Sequence, residues 1–457
     1  MAYYDFREFL EALKKNNDLI EVTRPVDLNT EVSKALKQSY VKQGPAIIFR
    51  NTGKKYPLVG GIYATRSKAL LAFQATENNI LDKVLAGLDN PIGPKVIKDA
   101  PSQEVLLTGG DIDITEFPIP TYSPSDGGAY ITAGITTVKD PETGVPDIGH
   151  YRYMVIGKDR LTFFAQPFHR FGKCIAKAHK MGKKTIQGAI IIGVDPVLAY
   201  TCQVQVPDDT NDWYVAGGLR GEPVELVKCK TVDLEVPATA EVVIEYEVDL
   251  DDKVMEGPLG EFTGYYTPAS EKPIARITAI THRNEPYFQG LLTGKPVTEN
   301  HILKQIPFES SFLKTMRRQF PTVERVALLP SGGVQFYTVI SMNPRYAGES
   351  RHVILTAMSS NIRPKWVIVV EPDINIHDST EVEWALSFRV QPAHDMIVVD
   401  QLPAGPVDPS SSGSVKDHAS RTMSAIGVDA TRPYGKEFAE VADVPGWQEY
   451  EFPELNT

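Results

Sequence analysis

The segment Ile186-Gln187-Gly188-Ala189-Ile190-Ile191-Ile192-Gly193-Val194 constrains the fold more than any other stretch. Its nearly continuous apolar run predicts a strand buried on both faces, which requires covering layers above and below. Glu241 to Val248 alternates instead, with Val242, Ile244, Tyr246 and Val248 on one face and Val243, Glu245 and Glu247 on the other. Ile131 to Val138, Tyr151 to Ile156, Leu161 to Ala165 and Ile274 to Ile280 read as further strands. The middle of the chain is therefore mostly β, a barrel or sandwich with long loops. On the N-terminal side, Phe6, Phe9, Leu10 and Leu13 form one helical stripe that Asp5 could cap. Strands at Leu19 to Val22 and Ala46 to Phe49 follow, with helix over Glu31 to Lys42 and again over Ser67 to Ala86. On the C-terminal side, helices at Ile306 to Phe320, Glu349 to Ser360 and Glu381 to Phe388 alternate with strands at Val334 to Met342, Trp366 to Glu371 and Met396 to Asp400. These textures predict a mixed α/β chain of three domains, over 1–110 (α/β), 111–300 (mostly β) and 301–457 (α/β). The tail after Leu402, ending in Trp447 to Leu455, is expected to fray or to dock on a neighbour.

Bulk properties narrow the function. A formal net charge of −11 argues against a nucleic-acid partner, which demands a basic surface. No run approaches the roughly 20 apolar residues of a membrane span, and Met1 to Leu13 lacks the apolar core of a signal peptide. The three cysteines, Cys174, Cys202 and Cys229, have no metal-type spacing, so reduced thiols in a cytoplasmic protein are expected.

Chemistry concentrates in Glu256-Gly257-Pro258-Leu259-Gly260-Glu261-Phe262-Thr263-Gly264-Tyr265-Tyr266. Glu256 and Glu261 would face apart on a regular strand or helix, but Gly257, Pro258 and Gly260 predict an irregular loop that can turn both acids to one point. Phe262, Tyr265 and Tyr266 could wall that point off from water, and paired acids in a dry pocket separate into an acid and an ionised partner. Arg152, in Asp147-Ile148-Gly149-His150-Tyr151-Arg152, offers a planar fork for carboxylate or phosphate, or simply a snorkelling surface cation. His169 in Gln166-Pro167-Phe168-His169-Arg170 reads as a metal ligand or a structural histidine. The glycine-rich Gly217 to Val227 is neither a Walker loop nor a dinucleotide fingerprint, though Glu225 within it could point inward. Asp147, His169 and Glu225 would together make a hard site suited to Mn²⁺ or Mg²⁺. His179, His282, His352, His377, His394 and His418 show no ligand spacing; His301, two positions after Glu299, is less easily dismissed but reads as a surface histidine at a helix start.

Over almost its full length the sequence resembles the UbiD family of prenylated-flavin-dependent decarboxylases. The resemblance lies in Asp5-Phe6-Arg7, Gly149 to Val155, Leu219 to Cys229, the Glu256 to Tyr265 loop, Lys365 to Asp373 and Gly427-Val428-Asp429-Ala430-Thr431. It implies a central split β-barrel-like flavin-binding domain between the two α/β domains, and a homodimer or homohexamer built through the C-terminal region. It implies prenylated FMN, Mn²⁺ and K⁺ as cofactors, with a flavin prenyltransferase as the supplier. It maps a catalytic set onto Arg152, Glu256 and Glu261, and a cofactor set onto Arg152, His169, Glu225 and Lys365. The metal ligands would be Asp147, His169 and Glu225, with Asp147 standing where the family has Asn. The implied reaction is reversible non-oxidative decarboxylation of an aromatic or heteroaromatic acid, releasing or fixing CO₂, with Glu261 as proton donor. Phe168 and Leu291-Leu292-Thr293-Gly294 would line the slot for a flat ring. The alternatives are a cinnamate-type unsaturated acid as substrate, or a non-catalytic flavin-binding subunit of a carboxylase complex. A metal-dependent hydrolase fits less well, because no compact ligand motif is present.

Overall fold

In a computed structural model, residues 2–446 are described except 168, 406, 414–419 and 443. Phe168, His418 and the stretch from Trp447 to Leu455 lie outside the described residues. The strand expected around Ile186 runs Thr185–Ile192 and sits inside a seven-stranded sheet. It pairs antiparallel with Val242–Glu256 on one side and Ile135–Lys139 on the other. The sheet continues through Ser270–His282 to Arg160–Thr162 at one edge, and through Pro146–His150 at the other. Alternate residues of the central strand enter two different cores: Ala189 and Ile191 enter one, Ile186, Ile190 and Ile192 the other. Burial on both faces explains why this run lacks polar alternation.

The alternation of Glu241 to Val248 is misleading at one residue. Glu245 is fully buried rather than on a wet face. Its carboxylate accepts backbone N–H bonds from Lys230 (2.7 Å) and Thr231 (2.6 Å), which replace its water.

The N-terminal helix Phe6–Lys15 buries the stripe Phe6, Phe9, Leu10 and Leu13, and Asp5 caps it by accepting from Glu8 N at 2.8 Å. Arg7 and Arg283 both pair with the buried Glu241, at 2.7 and 3.4 Å, and bind this helix to the central sheet. The single helix expected over Ser67 to Ala86 is two, Arg66–Phe73 and Ile80–Asp89, because Gln74 takes a left-handed φ of 47° and ends the first. A four-stranded sheet of Leu19–Pro25, Ala46–Asn51 and Leu58–Gly60 takes its last strand from Phe288–Gln289.

In the last third, a five-stranded sheet orders Val323–Leu328, Tyr337–Met342, Trp366–Val370, Thr422–Asp429 and Met396–Pro403, with parallel pairs at its centre. Helix Glu299–Gln319 begins seven residues before the expected start. Pro307 lies inside the helix, and the start is a Thr298–His301 capping box. The result is a mixed α/β architecture. No helix among the described residues is long and apolar enough to cross a membrane.

Candidate active site

Strand Val242–Glu256 ends on Glu256, and the chain turns at once through Gly257, whose φ of 94° suits glycine alone. A short hairpin follows, Leu259–Gly260 against Tyr266–Thr267. Its tip is closed by Glu261 N donating to Tyr265 O at 2.9 Å and Gly264 N to Glu261 O at 2.8 Å. Asp126 holds the hairpin from behind, accepting from Gly260 N at 3.0 Å. Gly127 N donates to Pro258 O at 2.8 Å, and a Cβ on Gly127 would stand 2.3 Å from Gly257 O. The Pro- and Gly-rich connection before Ile131 is thus the bed on which the acid loop rests.

This loop turns both acids onto Arg152. The guanidinium Nε lies 3.5 Å from Glu256 Oε1, and Nη1 is in direct contact with Glu261 Oε1. Glu261 also accepts from the Thr267 hydroxyl at 3.1 Å, and Glu256 from the Tyr130 hydroxyl at 3.0 Å. Arg152 stands over the Phe164 ring at 5.2 Å, with Lys272 Nζ at 4.0 Å from the same ring. Burial, with the Glu256 charge behind it, pushes the Tyr130 phenol well up, so it stays a donor. Burial likewise pulls the Lys272 ammonium down, against the pull of Glu256.

The aromatic run does not form the expected wall. Tyr265 and Tyr266 are 62% and 44% exposed. Phe262 instead packs away from the acids, edge-on to His301 with centroids 6.0 Å apart, and its carbonyl lies 2.7 Å from His301 Nε2. Because His301 Nδ1 receives Thr298 N–H at 3.1 Å, Nε2 carries the proton and donates to Phe262 O. The aromatic residues at the site are Tyr130, bonded to Glu256, and Phe164, against Arg152, both distant in sequence. Leu291 and Leu292 are buried in the two cores rather than lining a slot.

The residues expected to hold a metal are separated. Asp147 is buried, and Arg170 Nη1 lies 3.3 Å from its Oδ1 while its Oδ2 has no hydrogen-bond partner. The same Arg170 Nη1 donates to both oxygens of Asp212, at 2.7 and 2.8 Å, and Asp212 Oδ2 also accepts from Ile148 N at 2.9 Å. Burial raises Asp147, the Asp212 charge adds to this, and Arg170 opposes it. Glu225 is elsewhere, at the start of strand Glu225–Lys228, paired with Lys95 at 2.9 Å. His169 precedes helix Arg170–Lys180 with its residue surface exposed, and partial desolvation with the Lys304 and Lys173 charges shifts its imidazole down. Among the described residues no three His, Cys, Asp or Glu side chains converge on one point. Asp212 is the carboxylate that sequence reading missed. It follows the N-cap Asn211 in the first turn of a helix, where an acid needs no explanation beyond the dipole. Two buried carboxylates with an unpartnered oxygen are the right donor type for a hard divalent cation, whose charge would stand beside or replace that of Arg170. Lys365 pairs with Asp408 at 2.7 Å and with the Ser410 hydroxyl.

Comparison with known proteins places this geometry. Residues 10–88, 95–296 and 302–430 match, in order, the N-terminal, Rift-related and C-terminal domains of 3-octaprenyl-4-hydroxybenzoate carboxy-lyase. The UbiD-class enzyme HmfF from Pelotomaculum thermopropionicum, solved with FMN, is 33% identical with a TM-score of 0.91, over 98% of this chain and 99% of that one. An evolved dimeric form of the same enzyme, solved with prFMN, is 32% identical with a TM-score of 0.88, over the same shares. Vanillic acid decarboxylase from Sedimentibacter hydroxybenzoicus in its open form is 28% identical with a TM-score of 0.88, over 98% of this chain and 97% of that one. Three domain matches in order and one fold shared end to end show that the chain belongs to the UbiD family of carboxy-lyases.

Proposed function

We propose that the protein catalyses the reversible, non-oxidative decarboxylation of an aromatic or heteroaromatic acid with prenylated FMN. The observation that carries this reading is the convergence of Glu256 and Glu261 on the single cation Arg152. When bound, the modified flavin supplies the electron sink that no side chain provides. The protein's own residues do the rest. Arg152 is the cation that receives the substrate carboxylate. Glu256, fixed by Tyr130, keeps the guanidinium in place while that exchange occurs. As the incoming carboxylate takes over the Arg152 contact, Glu261 is freed to carry a proton. The bond from ring carbon to carboxyl carbon breaks, CO₂ leaves, and the proton of Glu261 goes to the carbon that lost it. Solvent then restores the proton on Glu261, and the reverse order fixes CO₂. Asp147 and Asp212 would hold a divalent cation, with His169 next in sequence to their shared partner Arg170.

The decisive experiment is co-expression with a flavin prenyltransferase, followed by absorbance, mass and metal analysis and by a panel of aromatic acids scored for CO₂ release. Glu261→Gln should keep the flavin but lose turnover and CO₂ exchange by about 10²–10⁴-fold, the usual worth of a general acid. Wild-type-like turnover in that variant removes Glu261 from the mechanism, and no modified flavin under any maturation condition removes the enzyme reading.

A further inference from the structure

Lys272 is a second cation at the acid site. Strand Ser270–His282 sets it opposite Val254, two residues before Glu256, while Ser270 stands opposite Glu256 itself. Its ammonium lies 4.0 Å from the centroid of the Phe164 ring, and the Arg152 guanidinium 5.2 Å from the same centroid. Burial pulls the amine down, the Glu256 charge pulls it back and the Arg152 charge adds to burial, so the three charges act on one another. Among the described residues Lys272 has no ion pair and no hydrogen bond of its own, for Glu256 and Glu261 both pair with Arg152. Glu271, its neighbour on the strand, is exposed. A half-buried ammonium against a ring face, without a carboxylate in contact, is costly unless it serves charges close by.

The groups facing the two acids are unequal. Glu256 has Arg152, the Tyr130 hydroxyl and the Lys272 charge, whereas Glu261 has Arg152 and the Thr267 hydroxyl. Asp126, behind the hairpin, accepts from the backbone N–H groups of Ser123 and Gly260. When a substrate carboxylate joins two carboxylates on one guanidinium, one of the acids must take a proton. Contact with Arg152 does not decide which, since both acids have it. A further cation that acts on one of them does decide, by stabilising that one as the anion. The acid whose charge acts on Lys272 is Glu256.

We propose that Lys272 is a positioning residue that keeps Glu256 ionised while the substrate carboxylate occupies Arg152, so that the proton goes to Glu261. This rests on the decarboxylase reading and deepens it. Binding to the FMN-loaded protein near pH 7 tests the charge without turnover, with benzoate as the carboxylate probe and benzamide as its neutral isostere. Lys272→Met should weaken benzoate by about tenfold and leave benzamide within about twofold, and Lys272→Arg should restore benzoate. The second readout is the pH profile of CO₂ release, from whichever acid of the panel is turned over. Turnover falls as pH rises and the acid pair gives up its proton. Removing a neighbouring cation raises that pair, so Lys272→Met should move the fall to higher pH by about one pH unit. Its plateau should drop, because the proton is then divided between Glu256 and Glu261, and Lys272→Arg should reverse both changes. Equal weakening of benzoate and benzamide, or a lower plateau with the fall unmoved, would make Lys272 a prop for Phe164 and overturns the proposal. Wild-type protein that binds neither probe overturns it as well. Selective loss of benzoate in a protein that releases CO₂ from no acid would refute the decarboxylase reading alone.

Discussion

The Tyr130 hydroxyl, fully buried, donates to Glu256 at 3.0 Å, and Glu256 pairs with Arg152 at 3.5 Å. Tyr130→Phe leaves the ring packing intact and removes that donor. A buried carboxylate losing a hydrogen bond costs about 1–3 kcal/mol, so the variant should be less stable by that amount in urea titrations. Arg152 should also lose its fixed position, which predicts a fall in turnover larger than any fall in flavin binding. Unchanged turnover and unchanged stability would show that Glu256 needs only Arg152. At this scale the sequence was readable where local chemistry repeats itself. Glu256 and Glu261 stand out because glycine and proline between two acids have few uses; Arg152, ambiguous by itself, joins them only through the family resemblance, and the three do meet. Asp212 was unreadable, because a first-turn acid after an Asn cap is already accounted for by its own helix. Glu225 stood out for the glycines before it, yet its partner is Lys95 on the neighbouring strand.

Among the elements, the acid loop and the connection beneath it behave as one unit. Gly127 packs so close to Gly257 that a methyl group would sit 2.3 Å from a backbone oxygen, which cannot swing aside as a side chain can. Gly127→Ala should therefore push the hairpin off its bed, at an overpacking cost of about 1–3 kcal/mol, while the seven-stranded sheet stays folded. Circular dichroism should be nearly unchanged, and CO₂ release should fall because Glu261 no longer meets Arg152. Full activity in Gly127→Ala would mean that the loop can shift without losing the site. The glycines and prolines of both segments announce irregular backbone, but nothing in either one says that they touch. That contact spans more than a hundred residues and is set by the sheet between them, which is why loops were located correctly and paired with nothing. Helix boundaries failed for a related reason. Pro307 carries a strong local signal for a helix start, and tertiary packing overrides it by burying Ile306, Pro307 and Glu309 in mid-helix.

Across the molecule, the acid loop belongs to the central sheet but is fastened to the helix that leads into the last domain. The fastener is His301, which accepts from Thr298 N through Nδ1 and donates to Phe262 O through Nε2. The bond at Nδ1 requires the neutral ring, whereas the bond from Nε2 is open to either form. Burial pulls His301 down to about 4 from 6.5, with the Lys304 and Lys37 charges acting in the same direction. The sign follows from linkage: the unfolded chain protonates this ring as pH falls below about 6.5, the folded chain only near 4, so falling pH favours unfolding through that window. The full interval corresponds to roughly 3 kcal/mol lost between neutral pH and pH 4. Carboxyls raised by burial act oppositely, Asp195 to about 6 among them, so the stability of the wild type alone does not isolate the histidine. The difference between wild type and His301→Gln does, because glutamine can donate to Phe262 O and cannot titrate. The wild type should be the more stable protein near pH 7, and its advantage in melting temperature should shrink steadily as the pH is lowered towards 4. A constant difference across that range would mean that His301 does not change its charge between the folded and unfolded states, and that the loop is held to the helix by Phe262 packing alone.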